Sequence, residues 1–343
     1  MIIDTINIKP FLVPFITPLI TAENTYTHRE GNIISLIHDQ FTGFGEISPL
    51  PGFSKENLVD CNQIIDNISN IISSEIDLSI DELLEIVDEN TENYPSVKFG
   101  FETAIFDLIS KENNQPLAEY LNPIYQKSIL TNKLFTNERY YPNNSVIKIK
   151  VGVKPFNDEI DLILNLQEEF GNQTKFRLDA NGTLDFQTAL RYCKEFSNIN
   201  IDYFEQPLPK ENLLALAELR TQTDVPIAID ESLTDFNSAL QIISSQSADV
   251  FVIKPMISGG FRESLKIIKL ARQNNIRTVI SSALETPIGL LSNFHLASAY
   301  NIKEHCGLNT AFLLSNDFGI PIEILDNKFT ITNKPGLGFD ELV

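Results

Sequence analysis

The chain has 343 residues, and 26 Lys and Arg against 46 Asp and Glu give it a net charge of −20. Its length suits one large α/β barrel of about 250 residues with a smaller domain beside it. A surface this acidic repels nucleic acid and anionic lipid, which makes both poor partners. Three widely spaced cysteines predict no disulfide framework, and a proline-interrupted N-terminus predicts neither a signal peptide nor a membrane span. We therefore expect a soluble cytoplasmic enzyme.

The first 115 residues predict a small α+β domain. Short β-rich runs separated by turns predict an antiparallel meander over residues 1–50. Residues 55–110 have the apolar spacing that is typical of helices. At the other end of the chain, residues 316–343 contain two further β-like runs, which we expect to return to the meander.

Residues 116–315 predict a parallel α/β barrel. Short apolar strands alternate there with amphipathic helices, and the ends of successive strands are 24–29 residues apart. An open doubly wound sheet shows the same alternation, but equal units without a glycine-rich phosphate loop favour a barrel. The six predicted strands are Val146–Val151, Phe176–Asp179, Ile201–Glu205, Ile227–Asp230, Val250–Lys254 and Thr278–Ser281.

Three acidic side chains, Asp179, Glu205 and Asp230, end successive predicted strands. Parallel strands lie about 4.8 Å apart, so ionised carboxylates at their ends repel one another unless a cation lies between them. Each acid taken alone could instead cap the helix that follows it. The three together favour a site for Mg²⁺, with Mn²⁺ as a substitute, because both ions prefer oxygen ligands.

Three lysines also lie at the ends of predicted strands. In the strand Val146–Val151, a period of two puts Lys148 and Lys150 on one face. An edge strand in water would show the same pattern, but in a barrel the isoleucine face meets the helices and the lysines point inward. Two ammonium groups so close lower each other's pKa, which suits a lysine to act as a general base near pH 7. Lys254 either extends to solvent or faces Lys150 across the barrel mouth.

Arg177 shares the inward face with Asp179 by the same period of two. It either pairs with that carboxylate or holds a substrate carboxylate through two hydrogen bonds. A metal between carboxylates, with a lysine base on one side and a lysine cation on the other, acidifies the proton α to a substrate carboxylate. The sequence therefore favours an enzyme that forms an enediolate.

These residues resemble the enolase superfamily in its muconate-lactonizing branch. The matching motifs, in the family's order and spacing, are Lys148-Ile149-Lys150, Arg177-Leu178-Asp179-Ala180-Asn181-Gly182, Phe204-Glu205-Gln206-Pro207, Ile229-Asp230-Glu231-Ser232, Lys254-Pro255 and Ser281-Ser282. In the N-terminal region, Gly45–Ser54 and Pro95–Gly100 are similar to the o-succinylbenzoate synthases of this branch, the dehydratases of menaquinone synthesis.

The resemblance implies a (β/α)7β-type barrel whose capping domain, residues 1–115, is completed by the C-terminal segment. It also implies a carbon–oxygen lyase that dehydrates 2-succinyl-6-hydroxy-2,4-cyclohexadiene-1-carboxylate to 2-succinylbenzoate. Loops near Thr21–Arg29 and Ser48–Ser54 would close over this small carboxylate substrate. The resemblance implies that Lys150 transfers the proton, that Lys254 supplies positive charge and that Lys148 adjusts the pKa of Lys150. It implies that the Mg²⁺ ligands are Asp179, Glu205 and Asp230. The residues that it implies for substrate binding are Arg177, Ser281 and Asn181.

Two other interpretations stay open. Dipeptide epimerases and N-acylamino-acid racemases of the same branch also suit two lysines on opposite faces of the substrate. The epimerases carry an Asp-x-Asp motif near the eighth strand, which the corresponding Gly307-Leu308-Asn309-Thr310 lacks. The other alternative is a barrel that binds a small acid without catalysis, although no motif for flavin, nucleotide or zinc supports it.

Overall fold

The computed structural model describes residues 3–20, 25–75, 77–136, 145–315 and 318–342. Its N-terminal part is a three-stranded antiparallel sheet followed by helices, which confirms the predicted meander and the helical stretch after it. The elements are β1 (Thr5–Ile20), β2 (Thr25–His38), β3 (Phe41–Ile47), α1 (Leu58–Ser74), α2 (Ile80–Asn90), α3 (Pro95–Glu112), α4 (Leu117–Leu121) and the short strand β4 (Ser128–Leu130).

The three long helices of this part begin at local sequence signals. The side chain of Asn57 accepts a hydrogen bond from the first turn of α1. Ser79 and Glu82 form a capping box at the start of α2. Pro95 occupies the first turn of α3. A backbone N–H at this position would have no partner within the helix, so proline costs no hydrogen bond there.

A seven-stranded parallel sheet follows, in the order β11-β10-β9-β8-β7-β6-β5. Its strands are β5 (Lys133–Leu134), β6 (Val146–Lys150), β7 (Lys175–Asp179), β8 (Ile201–Glu205), β9 (Ile227–Ile229), β10 (Val250–Ile253) and β11 (Arg277–Ile280). Its helices are α5 (Phe156–Phe170), α6 (Phe186–Glu195), α7 (Leu213–Thr221), α8 (Phe236–Ser245), α9 (Pro255–Ser258), α10 (Gly260–Gln273) and α11 (Pro287–Ala299). Among the described residues, no helix is long and apolar enough to cross a membrane.

The two edges of this sheet are joined by the short segment Cys306-Gly307. Cys306 forms a parallel bridge with Thr131, just before β5, and Gly307 forms one with Ser281, just after β11. The sheet is therefore curled into a barrel-like domain. All six predicted strands are present, and their ends agree within one residue. The prediction missed β5, because two paired residues are too few to show an alternating pattern.

The C-terminal segment forms the two predicted strands, and they pair with each other and with β4. Strands β12 (Ile324–Leu325) and β13 (Lys328–Thr330) form a sheet with β4, rather than with the meander. The segment still reaches the N-terminal sheet through side chains, because Phe318 packs on Phe11 and Phe339 stacks on Phe44. The segment therefore contacts the N-terminal sheet through aromatic packing, whereas its strands pair with β4.

Helix α3 is buried on all sides, because it packs between β3 and the barrel helices α9 and α10. Glycines allow its close approach to β3. A Cβ at Gly45 would lie only 1.9 Å from the carbonyl oxygen of Gly100, and one at Gly43 would lie 2.1 Å from that of Ala104. This contact fixes the position of β3, the strand that leads to the barrel mouth.

We expect Gly45→Ala to lower the free energy of unfolding by about 1–3 kcal/mol, because two backbones must separate to admit the methyl group. Chemical denaturation of both proteins measures this difference. Gly171→Ala is the matched control, since Gly171 has open space around it and a φ of +74°. An alanine in this left-handed conformation lowers the free energy of unfolding by about 1 kcal/mol through backbone strain alone. Equal losses in the two variants would contradict the close-packing argument.

Candidate active site

The carboxyl ends of the barrel strands bring the predicted acids and lysines together. Lys150, Asp179 and Glu205 lie side by side, because the register pairs Lys150 with Asp179 and Asp179 with Glu205. Ile147 and Ile149 are buried on the opposite face of β6, as the period of two predicts. The remaining predicted residues follow the next strands, Asp230 after β9, Lys254 after β10 and Ser281 after β11.

Lys148 lies between two of the acids. Its Nζ is 2.8 Å from Oδ2 of Asp179 and 2.9 Å from Oε1 of Glu205. Burial opposes the charge of this ammonium group, but the two carboxylates outweigh burial and raise the pKa of Lys148 well above its usual value. Lys148 is therefore a permanent cation that holds Asp179 and Glu205 together.

Lys254 has an acidic and an aromatic neighbour. Its Nζ donates to both carboxylate oxygens of Asp230 and lies 4.9 Å from the ring centroid of Phe53. Burial again opposes the charge, but Asp230 and Glu231 outweigh it and raise the pKa of Lys254. Lys254 is therefore also a cation, and it faces the N-terminal domain across the barrel mouth.

Lys150 differs from the other two lysines. Partial burial lowers the pKa of Lys150, the nearby ammonium of Lys148 lowers it further, and the pull of Asp179 does not compensate. It lies at the end of β6 and is the more exposed of the two lysines on that strand. Lys150 is thus the amine best suited to give up and take back a proton.

The acids have the donor chemistry of a site for a divalent cation. Asp179, Glu205 and Asp230 are each at most 5% exposed, and Oε2 of Glu205 is buried without a hydrogen-bond partner. Burial, with repulsion from the other two acids, raises the pKa of Glu205 to about 8. A cation beside these oxygens would remove both penalties, so the three residues fit the Mg²⁺ that the sequence predicts.

The oxygens of these three acids do not converge as tightly as a ligand shell requires. In the described part of the chain, only Asp4, His38 and Asp39 place their ligand atoms all within 4.8 Å of one another, and they lie on the N-terminal domain. At the barrel mouth, Lys148 and Lys254 hold the carboxylates instead. The predicted ligand set therefore stays a prediction.

Sequence reasoning gave no role to Glu231, which lies next to Asp230. Nδ2 of Asn181 donates to Oε1 of Glu231 at 3.0 Å, and the backbone N–H of Asn181 donates to Asp179 at 3.0 Å. Burial and the neighbouring acids raise the pKa of Glu231 to about 7. Asn181, predicted to bind substrate, thus holds two acids in place. The adjacent acids Asp230 and Glu231 were the signal that the sequence offered.

Arg177 pairs in register with Lys148, but its side chain contacts a different acid from the one expected. Its side chain is fully buried, and its Nε donates to Oδ2 of Asp202 at 2.7 Å. A register shift between β7 and β8 leaves Asp202 as an extra residue, which meets this guanidinium. The ion pair expected with Asp179 forms with Asp202 instead. The substrate-binding role expected for Arg177 stays a prediction.

One of the two predicted capping loops lies at the barrel mouth. Ser48–Ser54 brings Phe53 against Lys254, and Lys55 directly after it forms an ion pair with Asp235 of the barrel, at 2.6 Å. In the other predicted loop, residues 21–24 lie outside the described residues, whereas Arg29 is buried against the barrel.

Comparison with known families agrees with this architecture. A family model described as enolase C-terminal domain-like matches residues 138–341, and one described as the MenC N-terminal domain matches residues 4–108. The chain belongs to the enolase superfamily. Within this superfamily, the match of the N-terminal domain and the relatives of the whole chain place it in the muconate-lactonizing branch.

Relatives of this enolase-superfamily enzyme catalyse different reactions. Muconate cycloisomerase 1 of Acinetobacter baylyi is 25% identical over 96% of this chain and 94% of its own length. The o-succinylbenzoate synthase of Haemophilus influenzae is 28% identical over 94% and 97%. The structure of a dipeptide epimerase from Enterococcus faecalis, complexed with Mg and L-Leu-L-Tyr, has a TM-score of 0.88 and 23% identity, over 99% of this chain and 100% of the other. Because these relatives are enzymes, a non-catalytic barrel is not supported.

We expect Asp202→Asn to lower the free energy of unfolding by about 3–5 kcal/mol at neutral pH, because it leaves the buried guanidinium of Arg177 without its carboxylate and removes one partner of the partly exposed Arg277. Asp202 accepts hydrogen bonds from Arg177 and from Arg277, at 2.7 and 2.9 Å. Glu263→Gln, which removes the partner of the exposed Lys266, is the control and should change stability by less than about 1 kcal/mol.

The ion pairs of Asp202 also predict how the stability of the protein depends on pH. Burial raises the pKa of Asp202, but Arg177 and Arg277 outweigh it and lower that pKa below its usual value. The unfolded carboxyl therefore binds a proton first, so this part of the stability is complete above about pH 4 and is lost as the pH falls further. Denaturation curves should show that loss in the wild type and not in Asp202→Asn. An equal loss of stability below about pH 4 in the wild type and in Asp202→Asn would contradict the assignment of this loss to Asp202.

Proposed function

We propose that this enzyme is an o-succinylbenzoate synthase, a lyase that dehydrates 2-succinyl-6-hydroxy-2,4-cyclohexadiene-1-carboxylate to 2-succinylbenzoate in menaquinone synthesis. The unequal lysines carry the proposal, because Lys150 has a lowered pKa whereas Lys148 and Lys254 have raised ones. The match of residues 4–108 to the MenC N-terminal domain supports this choice of substrate.

The site combines a metal-binding set with local positive charge. Asp179, Glu205 and Asp230 would hold Mg²⁺, or Mn²⁺ in its place, and the bound ion supplies positive charge for the substrate carboxylate. Lys148 and Lys254 add two cations beside these acids. An anionic substrate can therefore bind here although the whole chain has a net charge of −20.

Lys150 performs both proton transfers of the proposed reaction. Its neutral amine takes the proton α to the ring carboxylate, and the electron pair of that C–H bond passes into an enediolate. Lys254 keeps its charge and stabilises the developing negative charge. The enediolate then expels the hydroxyl group, which takes the proton back from Lys150 and leaves as water. Because the ring becomes aromatic, this second step is favourable.

Epimerisation fits these lysines less well than dehydration. An epimerase removes a proton with one lysine and returns it with the other, so both amines must change protonation state in each turnover. Of the two, only Lys150 has a lowered pKa, whereas Lys254 beside Asp230 and Glu231 has a raised one. The segment Gly307–Thr310 also lacks the Asp-x-Asp motif of dipeptide epimerases.

We expect Lys150→Ala to lower kcat by about 10²–10⁴-fold, because it removes the base and the acid of the reaction. The rise of ultraviolet absorbance as 2-succinylbenzoate forms, with Mg²⁺ present, measures this rate. Lys266→Ala is the control, since Lys266 is exposed on α10 and should leave the rate unchanged. Mn²⁺ affinity, measured by electron paramagnetic resonance, should be the same in both variants.

The dehydratase proposal fails if the wild-type enzyme with Mg²⁺ forms no benzoate product from the cyclohexadiene substrate. Incorporation of deuterium at the α-carbon of a dipeptide, together with a change in its optical rotation as the diastereomer forms, would identify an epimerase instead. That result would also require Lys254→Ala to abolish exchange on one face of the substrate while leaving exchange on the other.

A further inference from the structure

Two buried charged residues of the N-terminal domain contact the barrel mouth. Arg29 on β2 is 1% exposed, and Glu46 on β3 is fully buried. Ser48 links them, since its Oγ donates to Oε1 of Glu46 at 2.7 Å and accepts from Nη2 of Arg29 at 3.0 Å. Burying both charges is unfavourable unless each is fully hydrogen-bonded, so their partners show what the contact holds.

Glu46 binds the start of a barrel helix. Its carboxylate accepts hydrogen bonds from Oγ1 of Thr286 at 2.6 Å, from the backbone N–H of Thr286 at 3.1 Å and from that of Gly289 at 3.0 Å. Thr286 is the N-cap of α11, where free N–H groups and the helix dipole favour a negative charge. An acid of one domain thus satisfies the helix terminus of the other.

Arg29 binds the loop that precedes this helix. Its Nε donates to the carbonyl oxygen of Leu284 at 3.0 Å. Leu284 has a φ of +64°, a left-handed conformation that is unfavourable for a leucine. Within the loop, Glu285 accepts from Oγ of Ser282 and from the N–H of Ala283, which gives the turn one defined shape.

The loop begins at Ser281, one of the residues proposed to bind substrate. Ser281 directly follows β11, the neighbour of the strand that ends at Lys254. Arg29 therefore holds the middle of the segment 281–289, and Glu46 holds its end. Both contacts come from the N-terminal domain.

We propose that Arg29 and Glu46 are positioning residues through which the N-terminal domain holds the segment 281–289 in its strained conformation and so places Ser281 for substrate binding. Only the last clause rests on the proposed function. The barrel then has a complete substrate site only while the N-terminal domain is docked on it.

Hydrogen exchange of the full chain with Mg²⁺, followed by mass spectrometry, tests the structural part without any substrate. In Glu46→Gln, amides in 281–289 should exchange about tenfold faster or more than in the wild type, because the carboxylate that holds them is lost. The segment 146–151 should be unchanged. Glu30→Gln is the matched control, since Glu30 is exposed and adjacent to Arg29. Equal exchange of 281–289 in wild type and Glu46→Gln would overturn the proposal.

Gly289→Ala perturbs the same contact from the barrel side. A Cβ there would lie 2.9 Å from Oε2 of Glu46 and 2.7 Å from Cβ of Glu285. It should also speed exchange of 281–289, and it replaces Glu46→Gln if that variant does not fold. Unchanged exchange in Gly289→Ala would count against the proposal.

Kinetics test the link to Ser281. If the loop binds substrate equally before and during reaction, Glu46→Gln should raise KM about tenfold with kcat within about threefold and Mn²⁺ affinity unchanged. A fall in kcat at constant KM would overturn the role assigned to Ser281. An inactive wild-type enzyme would refute the proposed function instead, and the exchange result would still stand.

Discussion

The candidate site depends on the balance between buried carboxylates and buried ammonium groups at the ends of adjacent parallel strands. Parallel pairing brings Lys150, Asp179 and Glu205 into line, and none of their charges can leave without moving a strand. Burial of one charge alone would be strongly unfavourable, so each acid needs a cation nearby. Lys148 and Lys254 supply that charge within the chain. The orphaned oxygen of Glu205 indicates that the balance is still incomplete and favours a further cation.

A second group of charges lies on the same sheet, further from the carboxyl ends of the strands. Arg177 lies two residues before Asp179 on β7, yet it pairs with Asp202, which also pairs with Arg277 of β11. The ring of Tyr203 lies 4.5 Å from the Arg177 guanidinium. This network links β7, β8 and β11 across the barrel interior. This group of charges therefore contributes to the cohesion of the barrel, apart from the acids and lysines of the candidate site.

Much of this arrangement could be predicted, because strand periodicity and strand ends are local properties of the sequence. The period of two in Ile147-Lys148-Ile149-Lys150 put both lysines on the face opposite the buried isoleucines, and the surrounding repeat of strands and helices predicted that this face meets the acids. The partner of Arg177 could not be predicted, since it depends on a register shift between two strands that are separated by a helix. The pairing of β13 with β4 depends in the same way on where distant segments meet. The sequence did not reveal these contacts, because they form between strands that are distant in the chain.

Relatives with similar sequences catalyse different reactions, so a few side chains decide which reaction takes place. Relatives 23–28% identical to this chain include a muconate cycloisomerase, an o-succinylbenzoate synthase and a dipeptide epimerase, and the epimerase has the same fold with a TM-score of 0.88. The fold therefore cannot select the reaction, and the protonation of individual lysines can. Here Lys254 donates to Asp230, whereas Lys150 has no carboxylate bound so closely among the described residues. Under the proposed function, Lys150 moves the proton and Lys254 supplies positive charge, which suits the loss of a leaving group from the face that is deprotonated. Substrate choice then falls to the residues above the lysines, and Phe53 comes from the N-terminal domain.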